Sequence, residues 1–139
     1  MVKIMILGKN GQVGSLLHKV FLSEKHGHAF NAEDANLTDE KKLRKLIQEL
    51  KPQVIINAAA YTKVDRAEED QLTAFKVNAR GPMILGQEAT ALGAAVIHFS
   101  SDYVFDGKKK TPYVEGDKTN PLNIYGASKL EGEKLLMAA

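Results

Sequence analysis

The chain has 139 residues, of which 44% are hydrophobic and 26% charged, with a net charge of +2. That length builds one compact core and falls short of two ordinary domains, and the charge balance calls for neither nucleic acid nor an anionic membrane as partner. With no cysteine, disulfides and thiolate metal sites are removed, and with no membrane-length apolar run and no cleavage-site pattern at the start, the expectation is a cytoplasmic protein.

Val2 to Leu7 is an apolar run broken by Lys3 and stopped by Gly8, the pattern of a short buried parallel strand. Gly8, Gly11 and Gly14 then fall three apart, and Val13, Leu16, Leu17, Val20 and Phe21 repeat at helical spacing. Strand, glycine turn and helix together form the context of a dinucleotide fingerprint: glycines admit a pyrophosphate close to the backbone, and the helix start stabilises its charge. The spacing is one residue longer between the first two glycines than in ordinary dehydrogenases, which points to a related but distinct group of nucleotide binders.

His28 to Phe30 is a weakly signalled second strand. A helix follows with Asp39 and Glu40 in its first turn and Leu43, Leu46, Ile47 and Leu50 on one face. Val54 to Ile56 is the third strand, ending at Asn57-Ala58-Ala59-Ala60, whose small side chains leave room for a ligand across its carboxyl end. A long helical stretch from about Ala67 to Leu92 follows, with Leu72, Phe75, Leu85, Ala89 and Leu92 as buried positions and Gly81-Pro82 as the place where it bends or splits. Ala94 to Phe99 is the fourth strand, and a polar loop through Lys108-Lys109-Lys110 leads to a last helix from Asn123. Strands alternating with helices predict an α/β fold with a doubly wound parallel sheet, a Rossmann-type NAD(P)-binding domain over residues 1–139.

On the last helix Tyr125 and Lys129 stand four apart and share a face. A free phenol titrates near pH ~10, and an adjacent ammonium favours its ionised form. The spacing alone leaves two readings open: two surface residues, the commoner case, or a proton donor tuned by a cation.

Taken together, Gly8-x-x-Gly11-Gln12-Val13-Gly14, the run from Val54 through Ala58-Ala59-Ala60-Tyr61-Thr62-Lys63-Val64-Asp65-Arg66-Ala67-Glu68, Val77-Asn78-Ala79, Ser100-Ser101-Asp102-Tyr103-Val104-Phe105-Asp106-Gly107 and Tyr125-Gly126-Ala127-Ser128-Lys129 resemble dTDP-4-dehydrorhamnose reductases of the extended short-chain dehydrogenase/reductase superfamily. The resemblance implies reduction of the 4-keto group of a dTDP-linked deoxysugar by NADPH or NADH. It casts Tyr125 as proton donor, Lys129 as the cation that acidifies it and holds the nicotinamide ribose, and Ser101, where relatives commonly carry threonine, as the hydroxyl polarising the carbonyl. It assigns the cofactor to Gly8, Asn10, Gly11, Gln12, Val13, Gly14, Asn36, Leu37, Ala58, Ala59, Ala60, Tyr61, Asn78 and Ser100 besides Tyr125 and Lys129. The sugar nucleotide falls to Thr62, Val64, Ser101, Asp102 and Tyr103. Asn36 stands where the family usually has an acid.

The family continues beyond the Tyr-x-x-x-Lys helix, so the expectation is that the part clasping the sugar lies outside this chain and that an exposed sheet edge invites a homodimer. Two other readings share the scaffold: a non-catalytic NADP-binding regulatory subunit like that of methionine adenosyltransferase, and a nucleotide-sugar epimerase or dehydratase holding NAD. No metal is expected, since His26 and His28 have no ligand at metal spacing; both read as solvated loop residues, His98 as a satisfied core histidine and His18 as exposed. Lys9 favours the extra phosphate of NADP, whereas Glu33 and Asp34 favour NAD, and the sequence leaves that conflict standing.

Overall fold

The structure is a computed structural model that describes residues 2–22 and 27–139. Four parallel strands, β1 (Ile4–Leu7), β2 (Gly27–Phe30), β3 (Val54–Asn57) and β4 (Ala95–His98), form one sheet in the order β2-β1-β3-β4. Ile4 aligns with both Gly27 and Val54, and Val54 with Ala95, so all four strands end at one level. The order reverses between β1 and β3, which is where a sheet of this kind opens a crevice at its carboxyl edge. The doubly wound α/β reading is therefore borne out.

Helix α1 (Gln12–Leu22) packs on β1 and β2, and α5 (Gly81–Leu92) on β3 and β4. Right-handed crossovers place them on opposite faces. Helix α2 (Glu40–Leu50) lies against α5, as does α6 (Ile124–Ala138). The core is Met5, Leu7, Leu43, Ile47, Ile55, Ile84 and Leu85 with their neighbours. As the pattern predicts, α2 buries Leu43 and Ile47, and Asp39 caps its start by accepting from the Lys42 N–H at 3.1 Å. The α2–α5 seam also contains a buried ion: Glu88 accepts from Arg44 at 2.7 Å and from Gln48 at 3.1 Å, while Arg44 reaches Glu40 at 2.9 Å.

The long helical stretch is broken into several pieces, the last of which, α5, begins at Gly81-Pro82 as expected. Short helices α3 (Val64–Ala67) and α4 (Gln71–Phe75) come first, and a π-helical turn (Lys76–Arg80) runs directly into α5. Pro82 sits in the first turn of α5 and has no N–H to give the Asn78 carbonyl four residues back, so the ladder widens one turn earlier. Against that carbonyl lies Gly132 of α6, so close that a Cβ there would fall 2.0 Å from the oxygen.

Several apolar positions expected inside are outside. Leu72 is 69% exposed, and Leu16 and Val20 of α1 are 63% and 60% exposed. Their periodicity marks an apolar stripe that is nevertheless largely exposed. β4 is an outer strand whose Ala95 and Ile97, with Phe99 beyond them, are exposed. His28 lies on β2 as an exposed strand residue rather than in a loop, His26 lies outside the described residues, and His18 is half-buried rather than exposed. No helix among the described residues is long and apolar enough to cross a membrane.

Candidate functional site

The turn after β1 is tied down by its own main chain. The N–H groups of Gly8 and Lys9 both donate to the Phe30 carbonyl, at 3.0 and 3.1 Å, and Gly11 donates to Gly8 at 2.9 Å. Gly8 takes φ +84, and a Cβ there would strike the Ala58–Ala59 main chain at 2.8 Å. A Cβ on Gly14 would stand 2.0 Å from the Gly8 oxygen, so α1 starts hard against the turn. The first-turn N–H groups of α1 have no intrahelical partner, and the positive end of the helix suits an anion there.

Beside this turn opens a cleft of about 690 Å³ at the carboxyl ends of β1, β2 and β3. One wall is Gly8, Asn10, Gly11, Gln12 and Val13, and the other is Ala58, Ala59, Ala60, Tyr61, Thr62 and Val77. Asn31, Ala32, Ala35, Asn36 and Leu37 close the end over β2. Small side chains, a backbone that admits no Cβ and free helix N–H groups match the requirements of a dinucleotide pyrophosphate. Asn36 turns inward on its own loop, accepting from the Thr38 N–H at 2.9 Å and the Thr38 hydroxyl at 2.8 Å.

Asn78 lies behind the wall rather than in it. Its carbonyl oxygen accepts from Tyr61 N–H at 2.8 Å, and its amide donates to the Tyr61 carbonyl and to the Ser128 hydroxyl, both at 3.0 Å. At 1% exposure, it holds the Tyr61 main chain like a paired strand. At the last position of β3, Asn57 plays a similar part, accepting from Ala59 N–H at 3.1 Å and donating to His98 Nδ1 at 3.1 Å. That leaves the proton of the neutral ring on His98 Nε2, which is buried without a partner among the described residues. The expected satisfied histidine is thus satisfied on one nitrogen only. Burial, then the nearby Lys129 charge, push its pKa down to about 4, so the ring is neutral at physiological pH.

A second cluster forms where β4 ends. Lys129 is 2% exposed, and its ammonium donates to the Phe99 carbonyl at 2.6 Å. The spacing in the sequence lays this ammonium against the Tyr125 hydroxyl; the structure turns it to the strand, because a buried ammonium requires an acceptor and the end of an outer strand offers a free one. Burial lowers its pKa to about 8, with Glu133 acting in the opposite direction. Tyr125 stands edge-on to Tyr103, ring centroids 5.4 Å apart, and its hydroxyl has no hydrogen-bond partner among the described residues. Ser101 accepts from Tyr103 N–H at 3.2 Å and reaches Asp102 at 3.4 Å, capping a short 3-10 turn (Asp102–Val104). Ser100 donates to Glu133.

Lys129 is thus held at the Phe99 carbonyl, Tyr125 at the Tyr103 ring and Ser101 in the turn that Tyr103 belongs to, and none of the three lines the large cleft, nor do Gly14, Ser100, Asp102, Tyr103, Val64 or Asn78. Thr62 does, at the margin nearest a smaller recess with Lys63, Arg66 and Asp70. Lys109 of the lysine run is held by Asp117 over the Tyr113 ring. Sequence reasoning missed Asn31, Ala32, Ala35 and Val77 in the cleft, although the first residue after the second strand is where the ribose-binding acid of a dinucleotide site is sought. It also missed Glu133, which falls on the Tyr125–Lys129 face one turn further on.

Residues 2–139 match the family profile described as the RmlD substrate binding domain. The dTDP-4-dehydrorhamnose reductase of Aggregatibacter actinomycetemcomitans is 41% identical over 139 residues, an alignment covering 99% of this chain and 47% of that protein. A crystal structure of a dTDP-4-dehydrorhamnose reductase from Clostridium acetobutylicum superposes with a TM-score of 0.95 at 40% identity, covering 99% of this chain and 49% of that one. One from Bacillus anthracis, solved in complex with NADP, gives 0.94 at 35% identity, covering 99% and 50%. This chain spans about half the length of these relatives.

Proposed function

The chain belongs to the RmlD substrate binding domain family, and on that premise we propose that it carries the NADPH or NADH site and the proton-delivering residues of a reductase. The substrate is the 4-keto group of a dTDP-4-dehydro-6-deoxysugar, taken from dTDP-4-dehydrorhamnose to dTDP-L-rhamnose. The observation that best supports this is the cleft at the carboxyl ends of the strands, whose glycine turn admits a pyrophosphate, with Lys129 fixed on the Phe99 carbonyl just past the end of β4 and Tyr125 on the same helix packed against Tyr103.

When bound, the nicotinamide dinucleotide supplies the hydride. Gly8, Gly11 and the start of α1 hold its diphosphate, and Ala58 to Tyr61 form the opposite wall. As charge develops on the carbonyl oxygen, the Tyr125 hydroxyl, which has no competing partner, delivers the proton. Ser101 donates a second hydrogen bond, its proton being only loosely engaged by Asp102 at 3.4 Å. Lys129, with a pKa of about 8, is mostly cationic near neutrality and sets a positive charge beside the end of β4. Thr62, Val64, Asp102 and Tyr103 face the sugar, with the remaining grip supplied by the length that the relatives have beyond this match. The setting is cytoplasmic, with no nucleic acid or membrane partner, and a second copy pairs through the open edge of β4.

Calorimetry with NADPH and NADH, followed by cofactor oxidation in the presence of the keto sugar, tests this reading. Tyr125→Phe should abolish oxidation and leave cofactor binding within about twofold, since only the hydroxyl is removed. Equal turnover by variant and parent, or failure of both cofactors to bind, would refute it.

A further inference from the structure

The segment that leaves β4 runs along one face of α6. Tyr125, Lys129 and Glu133 stand four apart on that helix, so their side chains form one stripe, with Gly126 beside its start. Each part of the stripe meets a successive point of the segment. Lys129 donates to the Phe99 carbonyl at 2.6 Å, Ser100 donates to the Glu133 carboxylate, and a Cβ on Gly126 would stand 2.1 Å from the Tyr103 oxygen. Ser101 therefore lies between Ser100 and Tyr103, both set against α6, and its hydroxyl accepts from the Tyr103 N–H at 3.2 Å.

Glu133 belongs to none of the groups that the reductase reading uses, yet it is a half-buried carboxylate one helical turn from the buried ammonium of Lys129. The two make no direct ion pair. Each holds the end of the strand instead, and the carboxylate acts on the ammonium through space, raising its pKa against the larger effect of burial. His98 of β4 is also close to Lys129, but its ring is neutral. Of the titratable residues on the other elements packed against α6, Arg80 and Glu88 are engaged with Glu40 and Arg44, while Asp65, Arg66, Lys76, Asp102 and Tyr103 do not contribute to the shift of Lys129.

We infer that Glu133 is a positioning residue of the site: it fixes Ser100, and through it the place of the Ser101 hydroxyl, and it supplies the countercharge for the Lys129 ammonium. The purpose of this device rests on the reductase reading, in which Ser101 donates to the carbonyl oxygen and Lys129 supplies the positive charge nearby. A charge-assisted hydrogen bond to a carboxylate on a packed helix is a firmer hold on a loop serine than a neutral one would be. The same carboxylate offsets part of the burial that works against a charged lysine.

The test uses the 139-residue chain with isotope-labelled lysine side chains, the Lys129 signal being assigned by its loss in Lys129→Met. Lysine titration and amide hydrogen exchange are read by NMR, and circular dichroism verifies the folding of each variant. Glu133→Gln keeps an acceptor for Ser100 and removes the charge, so the Lys129 midpoint should move down from about 8 while exchange of the Tyr103 and Val104 amides stays within about twofold. Ser100→Ala removes the tie and keeps the charge, so those amides should exchange about tenfold faster with no downward movement of the midpoint. Glu133→Ala should show both changes. A midpoint unmoved by Glu133→Gln, or exchange unmoved by Ser100→Ala, would overturn the inference. These measurements need no cofactor: failure of the parent to bind NADPH or NADH would refute the reductase reading, while the titration and exchange would still decide for or against Glu133.

Discussion

Replacing Gly132 by alanine would put a methyl carbon 2.0 Å from the Asn78 oxygen and 3.1 Å from its carbonyl carbon. Both are main-chain atoms of the π-helical turn, so no rotamer change relieves the contact. A carbon and a carbonyl oxygen settle at ~3.3 Å or more, so α6 would have to retreat by roughly 1.3 Å. Forced insertion of this kind costs about 1–3 kcal/mol, and the upper end applies where two helix backbones meet. For a chain of this size, about 3 kcal/mol corresponds to a fall in Tm of roughly 10 °C. Gly116→Ala is the control, since a Cβ there meets nothing within 4 Å and the backbone does not require glycine. Thermal melts of the two variants followed by circular dichroism decide the matter. A Gly132→Ala melt within about 2 °C of the parent, meaning a cost below ~1 kcal/mol, would refute the close-contact account.

Burial of Lys129 makes stability depend on pH in a definite direction. Its folded pKa of about 8 lies below the ordinary 10.5, so its contribution is fully present above the unfolded value and is lost as pH falls through about 8. The urea midpoint should rise from roughly pH 7 to 9.5, and Lys129→Met should flatten that rise; a flat parent profile would count against the burial. Arg44→Ala leaves the buried Glu88 with Gln48 as its remaining partner and should cost ~2 kcal/mol in urea unfolding, with the Arg44→Ala/Glu88→Gln double variant recovering part of it. Asn78→Ala removes three hydrogen bonds at the Tyr61 and Ser128 seam, so a loss of ~3 kcal/mol is expected, together with weaker cofactor binding through a loosened Tyr61.

The parts of the fold written in short-range pattern were legible. The apolar runs ending at Leu7 and Asn57 became strands, Leu43 and Ile47 faced inward as their spacing required, and the three glycines marked a turn in which a Cβ on Gly8 or Gly14 would collide with main chain. What the sequence could not convey was what lies opposite a residue. Leu72, Leu16 and Val20 carry the same periodic signal as Leu43, but solvent lies over them. Pro82 announced a disturbance, yet the disturbance appears one turn earlier, where the missing N–H would have been received. Tyr125 and Lys129 were singled out by the resemblance, since their spacing alone left the surface reading open. The acceptor that captures Lys129 was not, because Phe99 offers a carbonyl and main-chain groups leave no trace in residue identity.

The half-satisfied His98 gives the site an internal reporter. Its ring loses its proton near pH 4, far below the titration of the neighbouring Lys129 near 8, so between the two values the imidazole is chemically constant while the charge beside it changes. Resonances of that ring across neutral and mildly alkaline pH therefore register the ionisation of a lysine that is itself difficult to observe. The Asn57 amide joins this ring to Ala59 N–H in the wall of the cleft, so the reporter sits one side chain away from it.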